Sequence, residues 1–167
     1  MARNLDFLND QHVNIPILQH VLRAAFEYAW SRLTAEDKST LRKLSVFRGN
    51  FTRDAVEQIV GANRHTLLSL VDRSLVHRDA SGRYVLHETL RQFAQEQLRL
   101  QPEEGSVTLQ RYAEYYSRYV KAREAALTHP SDNAEQSQAA AEIEQEIDNI
   151  ATSWQIALAR KQVSAID

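Results

Sequence analysis

The stretch Asn63-Arg-His-Thr-Leu-Leu-Ser-Leu-Val-Asp-Arg-Ser-Leu-Val-His-Arg-Asp-Ala-Ser-Gly-Arg-Tyr-Val-Leu86 decides the fold of this chain. Asn63 is placed to cap a helix that carries Leu67, Leu68, Leu70 and Val71, because its side chain can accept from the free N–H groups of a first turn. Leu75-Val-His-Arg78 and Arg83-Tyr-Val-Leu86 are short β-prone runs separated by Asp79-Ala-Ser-Gly82, which reads as a hairpin. A short helix running straight into a hairpin needs two more helices before it to make a winged helix.

The residues upstream supply them. Thr52 caps a short helix through Ala55, Val56, Ile59 and Val60, and Gly61 stops it at the favoured C-terminal position. Before that, Thr34-Ala-Glu-Asp37 resembles a capping box that opens a helix over about 35–47 with Leu41, Leu44 and Phe47, closed by Gly49. Further out, Asn14 and Pro16 open a leading amphipathic helix striped by Leu18, Val21, Leu22, Ala25, Phe26, Ala29, Trp30 and Leu33.

Downstream, a helix begins near His87 and carries Leu90, Phe93, Ala94 and Leu98, and Pro102-Glu-Glu-Gly105 marks a boundary. Leu109, Tyr112, Ala113, Tyr116, Tyr119 and Val120 stripe one long helix, and Ile143, Ile147, Ile150, Trp154, Ala157 and Leu158 stripe another, with the turn at Thr128 to Asn133. The expected architecture is mainly α: a winged helix with its leading helix over 1–100, a linker at 101–105, and over 106–167 a TPR-like α-hairpin that begins a helical array.

Composition narrows the function classes. A chain of 167 residues can bury a real core without staples, and it has no cysteine, which excludes disulfides, thiolate metal sites and cysteine nucleophiles. No apolar run approaches the roughly 18 residues of a membrane span, and a cytoplasmic location is expected. Net charge is −2, divided as +3 over residues 1–100 and −5 over 101–167, well short of the footprint of a basic nucleic-acid-binding domain. No Ser-His-Asp set, carboxylate pair or metal constellation emerges, so neither catalytic nor metal residues are expected.

Five stretches of residues carry a resemblance. Leu22-Arg-Ala-Ala-Phe26 with Trp30 and Leu33, Leu41-Arg-Lys-Leu-Ser-Val-Phe47-Arg-Gly-Asn-Phe-Thr52, Leu70-Val-Asp-Arg-Ser-Leu-Val76, Arg83-Tyr-Val-Leu-His-Glu-Thr-Leu-Arg91 and Glu146-Ile-Asp-Asn149 stand in this order. They resemble the winged-helix region and adjoining helical repeats of STAND-type signalling ATPases, in particular large bacterial regulators of the LuxR and AfsR kinds. Ala29 stands where that family usually has serine. The resemblance implies a non-enzymatic regulatory piece that relays nucleotide state between an upstream ATPase core and a downstream helical sensor array of the same protein. ATP and ADP would then belong to the parent protein, since no GxxxxGK[ST] occurs in this chain.

The same resemblance assigns His87, in Leu86-His87-Glu88, to the place of a Met-His-Asp motif that contacts ADP phosphates, with Arg91 one turn further on. Read without it, a lone histidine there is a helix cap and Arg91 a partner for Glu88. His77 and His87 lack a third ligand for zinc. A stand-alone DNA-binding regulator would use Arg64, Thr66 and Arg73 on the helix and Arg83 on the wing. Asp72, the paucity of cations and the acidic C-terminal part count against direct DNA contact. A protein-interaction scaffold would use Tyr112, Tyr116 and Trp154 toward a protein ligand, while the run Glu142-Ile-Glu-Gln-Glu146 reads as a solvated helix face.

Overall fold

The computed structural model describes residues 15–129 and 132–163, with side chains over 21–129 and 132–160. The chain divides into two compact units, one ending at Thr34 and the other beginning at Ala35. The first contains α1, Ile15–Ser31, in which Phe26, Ala29 and Trp30 are half-buried and Val21 and Tyr28 are exposed. The Arg32 guanidinium lies over the Tyr28 ring.

The second unit runs α2 (Ala35–Leu44), α3 (Arg53–Ala55) continued by a π-helical stretch at Val56–Val60, α4 (Arg64–Asp72), β1 (His77–Arg78), β2 (Tyr84–Val85), α5 (Glu88–Arg99), α6 (Pro102–Thr128), α7 (Asn133–Gln145) and α8 (Ile147–Val163). The three short helices and the hairpin stand as the sequence predicts. Thr52 Oγ1 accepts from the Ala55 N–H at 3.1 Å and Asn63 Oδ1 from the Thr66 N–H at 2.9 Å, so both expected caps form. Gly61 closes the π-helical stretch with φ +74°, a conformation glycine adopts without steric cost.

The antiparallel register pairs His77 with Val85 and Arg78 with Tyr84. The turn is built by Asp79, whose Oδ1 accepts from the Ser81 and Arg83 N–H groups. A hydrogen bond from the Ser81 hydroxyl holds the Asp79 carboxyl below its ordinary value. Phe51 joins the hairpin from the other side by a two-way backbone bridge with Tyr84. The core of the winged helix gathers Leu41, Leu44, Phe47, Phe51, Val56, Ile59, Leu67, Leu70 and Val76, with Phe47 stacked on Phe51 at 4.4 Å between ring centroids. Full burial of each such side chain contributes about 1.5–3 kcal/mol.

The expected linker at 101–105 is corrected: Pro102–Gly105 is the first turn of α6. Proline is favoured at the first helical position, and Glu103 and Glu104 complement the helix dipole there. Gly105 is buried with Leu98 close by, and Glu104 reaches back to Arg42, Lys43 and Ser39 on α2. Burial pushes the Glu104 carboxyl up, but the hydrogen bonds from Arg42 and Ser39 with the charges of Arg42 and Lys43 hold it below its ordinary value. A helix that begins on the winged helix and is pinned to it makes Ala35 onward one unit rather than two. Among the described residues no helix is long and apolar enough to cross a membrane.

Candidate functional site

The helix before the wing presents one unpacked face. Arg64, His65, Leu68 and Asp72 are exposed along α4, followed by exposed Arg73, while Thr66, Leu67 and Leu70 are buried beneath them. Positions 64, 68 and 72 recur every four residues and so form one row on the helix. Thr66 is withdrawn from that row, its hydroxyl donating to Glu36 Oε1 at 2.6 Å. Beside the helix, Arg78 is exposed on the wing and its Nε donates to the Gly82 carbonyl at 3.2 Å.

Arg83 also belongs to the wing by sequence, but it turns inward. It donates to the Asn50 carbonyl at 2.9 Å and pairs with Glu146, which is 2% exposed. The structure therefore leaves Arg64 and Arg73 accessible, adds His65 and Arg78 to them, and engages Thr66 and Arg83 inside the fold.

His87 is the N-cap of α5 and is exposed, its Nδ1 accepting from the Thr89 N–H at 3.4 Å. His77 faces Val85 across the hairpin rather than His87, and among the described residues no three His, Cys, Asp or Glu side chains gather as a metal site. Arg91 forms a bidentate pair with Glu88 at 2.6 and 2.7 Å, the ordinary partner for that spacing.

Tyr112 and Tyr116 are corrected as partner-binding residues, because both are fully buried within this unit. Tyr112 packs edge-on against Phe47 at 5.7 Å, and its hydroxyl donates to Asn149 Oδ1 at 2.9 Å. The Tyr116 hydroxyl donates to Glu146 Oε2 at 3.0 Å. Burial pushes both phenols well up. Trp154 is 58% exposed, as are Ile147 and Leu158 on the same helix to similar extents.

Glu146 is corrected in the opposite sense: it is not on a solvated face but at the centre of a polar hub. Arg83, the Tyr116 hydroxyl and Asn149 Nδ2 all converge on its carboxylate. Asn149 holds the loop after α2, accepting from the Arg48 N–H at 2.9 Å and donating to the Asn50 carbonyl at 3.1 Å. Ala139, Ile150 and Ser153 are buried and Ile143 half-buried on the same side. The signal for Glu146 was its position in that three- and four-residue register, where a polar residue demands partners.

Comparison with known proteins places this geometry. The chain is 32% identical over 147 residues to the proteins named "Putative HTH-type transcriptional regulator Rv0890c" and its counterpart MT0914 of Mycobacterium tuberculosis, and Mb0914c of Mycobacterium bovis, with 81% of the chain covered. It spans 16% of the length of each. No solved structure matches it. The family model of the winged helix-turn-helix domain matches residues 33–99, and with these relatives it overturns the expectation that DNA contact is disfavoured. That expectation weighed Asp72, the few cations and the acidic C-terminal part, yet Arg64 at the start of α4 and Arg73 just after its end are both exposed. Residues 33–99 form a winged helix-turn-helix domain.

Proposed function

We propose that this chain is the DNA-contacting module of a transcription regulator, with α4 in the major groove and the β1–β2 wing along the neighbouring phosphates. The exposed Arg64, His65, Leu68 and Asp72 of α4, with exposed Arg73 just after it, carry the reading. Neither Arg64 nor Arg73 is held in an ion pair among the described residues. Arg64, at the N-terminal end of the helix, suits a bidentate contact to a guanine edge, and Asp72 can accept from a cytosine amino group. Arg73 and Arg78 suit phosphate oxygens. The match to the winged helix-turn-helix domain and the names of the relatives support the same reading, and a cytoplasmic site of action accompanies it.

Two arginines directed at phosphates give a shallow salt dependence, with log affinity falling by about 2 per decade of salt. Labelled random-sequence duplexes titrated by anisotropy at several salt concentrations test this. Arg73→Ala is expected to weaken binding and reduce the slope by about 1. A folded chain that binds no duplex at low salt, or is indifferent to both Arg64→Ala and Arg73→Ala, defeats the reading.

A second reading is favoured by His87. With Nδ1 turned to the Thr89 N–H, Nε2 is the ring nitrogen left to donate to a phosphate oxygen. Here an ATPase core elsewhere in the longer protein would set ADP against His87, and this chain, without a catalytic group of its own, would relay the nucleotide state to a helical array. In the full-length parent, His87→Ala is then expected to speed ADP release and raise basal activity. Unchanged ADP retention removes this reading.

A further inference from the structure

A groove of about 960 Å³ lies between the end of α2, α5, the start of α6 and α8, and no residue of α4 or the wing lines it. Its floor is apolar, formed by Val46, Leu98, Leu109 and Ile156. Arg48, Arg99 and Arg160 also line it, and no Asp or Glu does, although acidic residues outnumber basic ones in the chain. Arg160 is braced by the Ser106 carbonyl at 3.1 Å and Gln110 Oε1 at 3.4 Å. Arg48 and Arg99 are exposed and held in no ion pair among the described residues.

We propose that this groove docks an acidic amphipathic helix of a partner protein. The three arginines come from three separate segments around an open, apolar trough. One small anion engages a single guanidinium well, whereas carboxylates spaced three and four residues apart on a helix can meet several while the apolar face of that helix covers the floor. The volume stands at the upper end of the range for small-ligand pockets, about 300–1,000 Å³, and the groove opens to solvent. Charge complementarity of this kind selects the partner and speeds encounter.

The test uses the intact chain and two labelled synthetic peptides with the same leucine positions at helical spacing, one with glutamate and the other with lysine on the remaining faces. The glutamate peptide is expected to bind and the lysine peptide to fail. Arg48→Glu and Arg99→Glu, both at exposed positions and checked for folding by circular dichroism, are each expected to weaken binding about fivefold or more. The proposal is overturned if the glutamate peptide does not bind, if the lysine peptide binds equally, or if both arginine variants bind as before. Binding of dodecanoate without binding of the glutamate peptide also overturns it, in favour of a small acyl anion. A loss of duplex affinity in Arg48→Glu and Arg99→Glu matching that of Arg64→Ala, with peptide binding intact, assigns these arginines to DNA and overturns it as well, whereas failure of duplex binding alone leaves the groove untouched.

Discussion

Arg83→Met is expected to destabilise the chain by about 3 kcal/mol, the lower end of what stranding a buried charge costs. The guanidinium lies against Glu146 Oε1 and the Asn50 carbonyl. Without it the carboxylate stays buried with only the Tyr116 hydroxyl and Asn149 Nδ2 as donors. Glu146→Gln in the Arg83→Met background removes the stranded charge while an amide oxygen still accepts from those two donors. The double variant is therefore expected to recover at least half of the loss. Urea unfolding of the four proteins measures the coupling, and additivity within about 0.5 kcal/mol would show that the pair does not act as a unit. Since Arg83 faces the α8 side of the wing, the folded fraction of Arg83→Met should keep its duplex affinity, a separation that a phosphate-contacting arginine would not show.

That arginine illustrates which part of the site the sequence made legible. The hairpin was readable because Asp79-Ala-Ser-Gly82 has turn chemistry that needs no tertiary partner. Helix starts at Thr52 and Asn63 were readable for the same reason, since a cap is satisfied within three residues. The direction taken by Arg83 depends on Glu146, which lies 63 residues away, and no local pattern encodes such a pair. The periodic row on α4 was legible as a helix, but the sorting of Thr66 inward and Arg64 outward depends on Glu36 and the packing of α2 against α4.

The second half of the chain is harder to read, because apolar residues alone do not mark its buried face. On α8 the stripe through Ile147, Trp154 and Leu158 faces outward, and the inward face carries Asn149, Ile150 and Ser153. The tyrosines of α6 explain the inversion. Their hydroxyls enter the interface and require acceptors, so the facing helix offers a glutamate and an asparagine at positions where an apolar side chain would leave phenols unpaired. Pro102 and Gly105 mark no boundary, because proline in the first turn begins a helix as readily as it ends one.

Asn149→Ala is expected to cost on the order of 3–4 kcal/mol, because one side chain satisfies groups on three elements that no other residue replaces. Its Oδ1 accepts from the Arg48 N–H and the Tyr112 hydroxyl, and its Nδ2 donates to the Asn50 carbonyl and to Glu146. The Tyr112 hydroxyl keeps the backbone carbonyl of residue 149 at 3.1 Å, so the loss concentrates on the loop that carries Arg48 and Asn50. Hydrogen exchange at the Arg48 amide should accelerate accordingly. Asn149→Asp separates the two halves of the contact: it keeps acceptors for Arg48 and Tyr112, but it turns an oxygen toward the Asn50 carbonyl and sets a second carboxylate beside Glu146. It is expected to destabilise at least as much as alanine while the Arg48 amide exchanges more slowly than in the alanine variant. Stability near that of the natural chain in Asn149→Asp would mean that the donor half carries nothing, and that the loop after α2 is held by packing around Phe47 and Phe51 rather than by α8.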